Sequence, residues 1–101
     1  MNKDVLRGEC ERVNRLLNTK NDKYGDSFYK SLDKHGNSAF LVRLEDKFCR
    51  MENLIKTGDK GTADESLEDT ITDMAGYCLL YLAYRIERSL NQIERESLYN
   101  E

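Results

Sequence analysis

The side chains best placed to do chemistry in this 101-residue chain are acids at helical spacing. Asp69 and Asp73 stand four residues apart, which puts two carboxylates on one helix face, where like charges disfavour an isolated helix. Further along that face come Gly76 and Tyr77, then Leu80 and Tyr84, so the acidic pair opens onto an apolar and aromatic stripe. A metal-phosphate site beside a surface for a base has this composition. The same residues also fit a plainer role, in which the acids favour the positive end of a helix dipole and Tyr77, Leu80 and Tyr84 pack in a subunit interface. Glu45 and Glu52, seven residues apart on an earlier segment, share one flank of an apolar face. Carboxylates bordering a core can hold a divalent cation, and they can equally reach water or pair with arginine.

Cations supply candidate phosphate partners. Arg43, Lys47 and Arg50 follow one side of a helix, and Lys20 and Lys23 precede Tyr24-Gly25. Such side chains bind anions through charge-assisted hydrogen bonds, although Asp46 between Arg43 and Arg50 allows an exposed ion-pair lattice instead. His35, the single histidine, stands in Lys34-His35-Gly36 and reads as a helix end rather than a base. Cys10, Cys49 and Cys78 fit neither a disulfide framework nor C-x-x-C spacing, and are expected to be reduced and half-buried. The run from Gly58 to Thr62 lacks the phosphate-loop pattern.

Helices must position these groups. The chain has no proline and six glycines, placed mostly at segment ends, so each periodic segment defaults to helix. Leu6, Cys10, Val13, Leu16 and Leu17 predict a first helix over residues 3 to 18, followed by a polar loop to Asp26. Phe28, Tyr29 and Leu32 predict a short helical piece ending at Gly36. Ser38 is the expected cap of a long helix that carries Leu41, Leu44, Phe48, Met51 and Ile55 on one face and stops at Gly58. Thr62 and Glu65 have capping-box spacing, which predicts a final helix over about 63 to 96. Its segment Met74 to Ala83 is apolar nearly all round, which implies a second buried face and another copy of the chain as its cover. The expectation is one all-α domain over residues 1–101: three main helices and a short helical segment, a bundle completed by oligomerisation as a homodimer or higher homo-oligomer.

Composition narrows the class. Sixteen Lys plus Arg against 19 Asp plus Glu give a formal net charge of -3, which argues against duplex nucleic acid as a partner. No apolar run is long enough to span a membrane, and the first residues lack the apolar region of a signal peptide. A cytoplasmic location is the expectation.

Three segments together carry a resemblance: Lys20-Asn21-Asp22-Lys23-Tyr24-Gly25-Asp26; Arg43-Leu44-Glu45-Asp46-Lys47 with Arg50; and Glu68 through Tyr77. Over residues 18 to 84 the chain resembles the nucleotide-modification-associated domain of phages and some bacteria, which is similar to the all-α nucleoside triphosphate pyrophosphohydrolases of the MazG and dimeric dUTPase type. Those enzymes build a magnesium site from an E-x-x-E and an E-x-x-D and assemble as dimers or tetramers. Here Phe48 stands three residues after Glu45, and Thr70 three before Asp73, so neither half of that motif is intact.

The resemblance implies a nucleotide-binding protein, in the host cytoplasm if phage-encoded. Mg2+ would be held by Glu45, Asp69 and Asp73 with Glu52, the phosphates by Lys20, Lys23, Arg43, Lys47 or Arg50, and the base by Tyr24, Tyr77 or Tyr84. The leading expectation is Mg2+-dependent cleavage of a nucleoside triphosphate to monophosphate and pyrophosphate. The alternatives are a non-catalytic sponge that sequesters a nucleotide signal of host defence, and a helical protein-interaction module.

Overall fold

Apolar residues recur at helical intervals throughout the chain, and no proline interrupts them, so helix is the secondary structure available. The computed structural model describes residues 1–24, 26–58 and 66–99, apart from the side chains of Tyr24 and Tyr99. Among the described residues there are four α-helices and no strand: α1 (Lys3–Tyr24), α2 (Ser27–His35), α3 (Asn37–Lys56) and α4 (Leu67–Tyr99). The all-α expectation holds.

The boundaries differ from expectation in instructive places. Residues 18 to 24 are not a loop; α1 continues through them. That segment has no glycine or proline, and local bonds such as Thr19 Oγ1 donating to the Arg15 carbonyl (3.0 Å) carry the helix onward. The chain turns after Tyr24, where Asp26 adopts a left-handed conformation with φ 57°. Ser38 does not cap α3. Gly36 occupies the N-cap position at φ 68° and ψ -154°, a conformation for which a side chain is poorly suited, and its amide donates to the Leu32 carbonyl at 2.8 Å. One glycine thus ends α2 and starts α3.

The expected Thr62–Glu65 capping box lies outside the described residues. A box is formed instead by Ser66 and Asp69: the Asp69 amide donates to Ser66 Oγ (3.1 Å) and the Ser66 amide to Asp69 Oδ2 (3.2 Å). Two otherwise orphaned donors are satisfied reciprocally, and α4 starts at Leu67 and runs on to Tyr99.

The core is small. Val13, Phe28 and Leu32 are its buried apolar residues, joined by Thr70, whose hydroxyl donates to the Ser66 carbonyl, and by Thr72. Phe28 is central: its ring meets Tyr77 edge-on at 5.0 Å and Phe40 at 6.5 Å, and Phe40 stacks on Tyr81 at 4.2 Å. Burial of one such ring contributes about 1.5–3 kcal/mol. Helices α3 and α4 run antiparallel, since Asn37 accepts from the Tyr81 hydroxyl (2.8 Å) while Lys47 reaches Asp73.

Side chains expected in this core are partly outside it. Leu41, Phe48 and Ile55 are exposed, whereas Leu44 and Met51 are half-buried as expected, and α3 turns Phe40, Lys47 and Leu54 inward beside them. The face is rotated because Lys47 must reach a carboxylate on α4. Cys10, Cys49 and Cys78 are free thiols as expected, but all three are exposed. Helix α4 is exposed at every position from Arg85 to Leu98. The radius of gyration is 16.9 Å, against about 13 Å for a compact chain of this length.

Two glycines in helix interiors give opposite expectations. A Cβ on Gly76 would sit 3.0 Å from Leu17 Cδ2, whereas one on Gly8 meets nothing within 4 Å. In urea unfolding, Gly76→Val should lose about 1–3 kcal/mol through overpacking of α1 on α4, while Gly8→Ala should gain about 0.5–1 kcal/mol.

Candidate functional site

The four helices meet around Asp73. Its carboxylate takes Lys20 Nζ of α1 on Oδ1 and Lys47 Nζ of α3 on Oδ2, both at 3.0 Å. The Asp73 and Lys47 side chains are each 19% exposed and Lys20 is 46% exposed. A carboxylate this sheltered from water requires cations, and it has two of them from two different helices. Beside it, Arg12 of α1 donates to Thr72 Oγ1 at 3.0 Å while paired with Glu9.

A pocket of about 340 Å³ opens next to this junction, within the size range of small-molecule sites. Its polar wall includes Lys20, Arg43, Thr72 and Asp73, and its apolar wall Phe28, Tyr77 and Leu80. The guanidinium of Arg43 lies 6.0 Å from the centre of the Tyr77 ring, at the edge of cation–π range. The amino end of α2 contributes Asp26, Ser27 and Tyr29. Asp26 makes no side-chain cap, and its own amide donates to Asn21 Oδ1 at 3.2 Å. The positive end of the α2 dipole therefore faces the pocket.

Of the residues singled out for nucleotide binding, the fold brings Lys20, Arg43 and Tyr77 together in this pocket, with Lys47 behind it on Asp73. Lys23 and Arg50 are exposed and line none of it, and the Tyr24 side chain lies outside the described residues. Tyr84 is engaged elsewhere. Its hydroxyl donates to Asp33 Oδ1 at 2.8 Å, and Arg88 lies 4.9 Å over its ring while donating to both oxygens of Asp33, at 3.1 and 2.7 Å. Tyr29 meets Tyr84 edge-on at 5.2 Å; burial, and then a hydrogen bond to Glu87, push its phenol above the ordinary range. Tyr77, Leu80 and Tyr84 thus each meet groups of their own chain.

The acids singled out for metal do not gather. Asp69 and Asp73 diverge, one into the α4 cap and the other onto the two lysines, which offsets the repulsion expected between them. Glu52 pairs with Lys56 at 3.1 Å on an exposed turn, and Glu45 is exposed. Among the described residues no three His, Cys, Asp or Glu side chains come together as a metal-holding group. The donor set therefore does not fit a resident Mg2+. Sequence reading passed over Phe28, Asn21 and the start of α2 as pocket walls. The one signal was the polar stretch ending at Asp26, whose left-handed backbone precedes α2.

The Asp33 clamp has a pH signature. Hydrogen bonding from Tyr84, and then from Arg88, holds its carboxyl below the ordinary value of about 4. Folding thus favours the ionised form, so this contribution to stability is complete above about pH 4 and is lost as pH falls through the lowered folded-state value. Thermal melts from pH 6 to 2.5 should show a steeper acid-side decline for the wild type than for Asp33→Asn. At neutral pH, Asp73→Ala should cost about 1–3 kcal/mol, because it leaves the half-buried Lys47 without that partner.

Comparison with protein-family models, with curated protein sequences and with solved structures finds no match to this chain.

Proposed function

We propose that this chain binds and retains a nucleotide in the pocket between α1, α2, α3 and α4. The observation that carries the reading is the joining of two cations, Lys20 and Arg43, to an aromatic wall, Phe28 and Tyr77, in one cavity of about 340 Å³. Phosphate oxygens suit the cations and the amino end of α2. A planar base suits the ring faces.

The Asp73 junction supports such a site electrostatically. Lys47 is as sheltered as the carboxylate and serves to neutralise it, whereas Lys20 is more than twice as exposed. An incoming phosphate therefore recruits Lys20 at the pocket mouth while Asp73 keeps its inner partner. With Lys47 counted behind Asp73, three cations (Lys20, Arg43, Lys47) face two carboxylates (Asp26, Asp73) around the pocket, although the whole chain is mildly acidic.

Retention is favoured over hydrolysis by the acids themselves. Asp69 is occupied in a helix cap and Glu52 on a surface turn, so among the described residues no group of three acids forms around Asp73 to share a metal. Cleavage of a triphosphate by the family's route needs several carboxylates around a magnesium ion.

Equilibrium dialysis against ribo-, deoxy- and cyclic nucleotides, with Mg2+ and again with EDTA, tests the reading when bound material is recovered by denaturation and weighed by mass spectrometry. At least one nucleotide should be retained intact, equally with and without chelator, and Lys20→Ala or Arg43→Ala should weaken binding by roughly tenfold or more. Magnesium-dependent pyrophosphate release that is lost in Asp73→Asn would establish an enzyme instead. Retention of no nucleotide would leave a protein-interaction module.

A further inference from the structure

The face of α4 opposite the pocket carries a second pattern. Ile71, Ala75 and Leu79, then Leu82, then Ile86, Leu90 and Ile93 follow one another at intervals of four, four and three residues, an 11-residue period. That period, 3.67 residues per turn, stays close to the α-helical 3.6 and draws a nearly straight stripe about 33 Å long. All seven residues are exposed, Leu82 at 58% and Ile93 at 61% among them. At 100° per residue, no charged side chain falls within roughly 60° of the stripe's midline between Ile71 and Ile93. The chain's surface is 8097 Å², whereas a compact folded monomer of its mass has about 5,900 Å². The excess, about 2,200 Å² for one chain, is of the size that each partner buries in a large obligate homodimer interface.

We infer that this stripe pairs antiparallel with the same stripe of a second copy, with the two-fold axis at Leu82. Two observations select that occupant and that direction. The spacing is nearly symmetric about Leu82: reversing one helix sets Ile71 level with Ile93 and brings Ala75 and Leu79 within one residue, about 1.5 Å, of the levels of Leu90 and Ile86. The two halves of the stripe are also unequal. Its amino half borders a shallow groove shared with α1 and lined by Cys10, Val13, Ile71, Ala75 and Leu79, while its carboxyl half borders α2 only on the Leu90 flank and leaves Ile86 and Ile93 exposed. An antiparallel copy seats each bare half in the other's groove, whereas a parallel copy leaves both bare halves without α1.

The contact lies on the side of α4 away from Asp73 and Tyr77, so pairing leaves both pockets open and gives a two-site particle. Sedimentation and light scattering should return twice the 11.8 kDa chain mass at micromolar concentration. Leu82→Glu should return the chain mass with unchanged helical circular dichroism, since Leu82 supports nothing within the chain. Phe48→Glu, on the exposed side of α3, should keep the doubled mass. In a background with Cys10, Cys49 and Cys78 replaced by alanine, Leu82→Cys should cross-link to itself under mild oxidation, and Ile71→Cys should cross-link only when mixed with Ile93→Cys. A monomeric wild type overturns the inference. So does dissociation by Phe48→Glu rather than Leu82→Glu, and so does self-cross-linking of Ile71→Cys and Ile93→Cys alone, which would mark a parallel pair.

Discussion

One half-buried carboxylate sets the terms for the rest of this fold. Asp73 on α4 is sheltered enough to need charge compensation, and it obtains it from Lys20 on α1 and Lys47 on α3. Holding both lysines fixes how α1 and α3 lie on α4. The rotation of α3 that brings Lys47 inward turns Phe48 and Ile55 to solvent, and the closeness of α1 that brings Lys20 over explains why residue 76 is a glycine against Leu17. With so few buried apolar side chains, the ion-paired junction does part of the organising that a larger core would do.

The same junction makes the site. A carboxylate with two cations presents surplus positive charge on its open side, and α2 adds the positive end of its dipole there. Phe28 belongs to both tasks, since it is a core ring and a pocket wall. The helix that carries the junction also has a back face of different character, uncharged and apolar from Ile71 to Ile93. One 33-residue helix therefore divides its circumference into a polar binding side and an apolar side.

Much of this was legible in the residues. Helical periodicity gave all four elements, and the ends marked by Gly36 and Gly58 are where the chain turns. Asp73, Lys20, Arg43 and Tyr77 were recognisable as chemistry-bearing residues, and the fold assembles them. Other parts had no local signal. Residues 18 to 24 are polar all round, so nothing periodic distinguished a helical turn over the pocket from a loop. Ser66 and Asp69 repeat the spacing of Thr62 and Glu65 four residues on, and spacing alone does not choose between two such boxes. Tyr84 shares a face with Tyr77 in projection, yet Asp33 and Arg88 hold it elsewhere, a tertiary contact invisible to helical geometry. The acids counted toward a metal site were read by type and interval; Asp69 instead found a cap, Asp73 and Glu52 found cations, and Glu45 is exposed.

The central claim is that a nucleotide's phosphates and base occupy the Asp73 junction pocket. Titration of 15N-labelled protein with a nucleoside triphosphate and then with a cyclic dinucleotide, followed by amide shifts, addresses it residue by residue. For whichever probe binds, the account predicts saturable shifts concentrated at Lys20, Ser27, Phe28, Arg43, Gly76 and Tyr77, with Arg88 and Ile93 unmoved. Shifts confined to the Asp33–Tyr84–Arg88 surface, or no shifts with either probe, would contradict it.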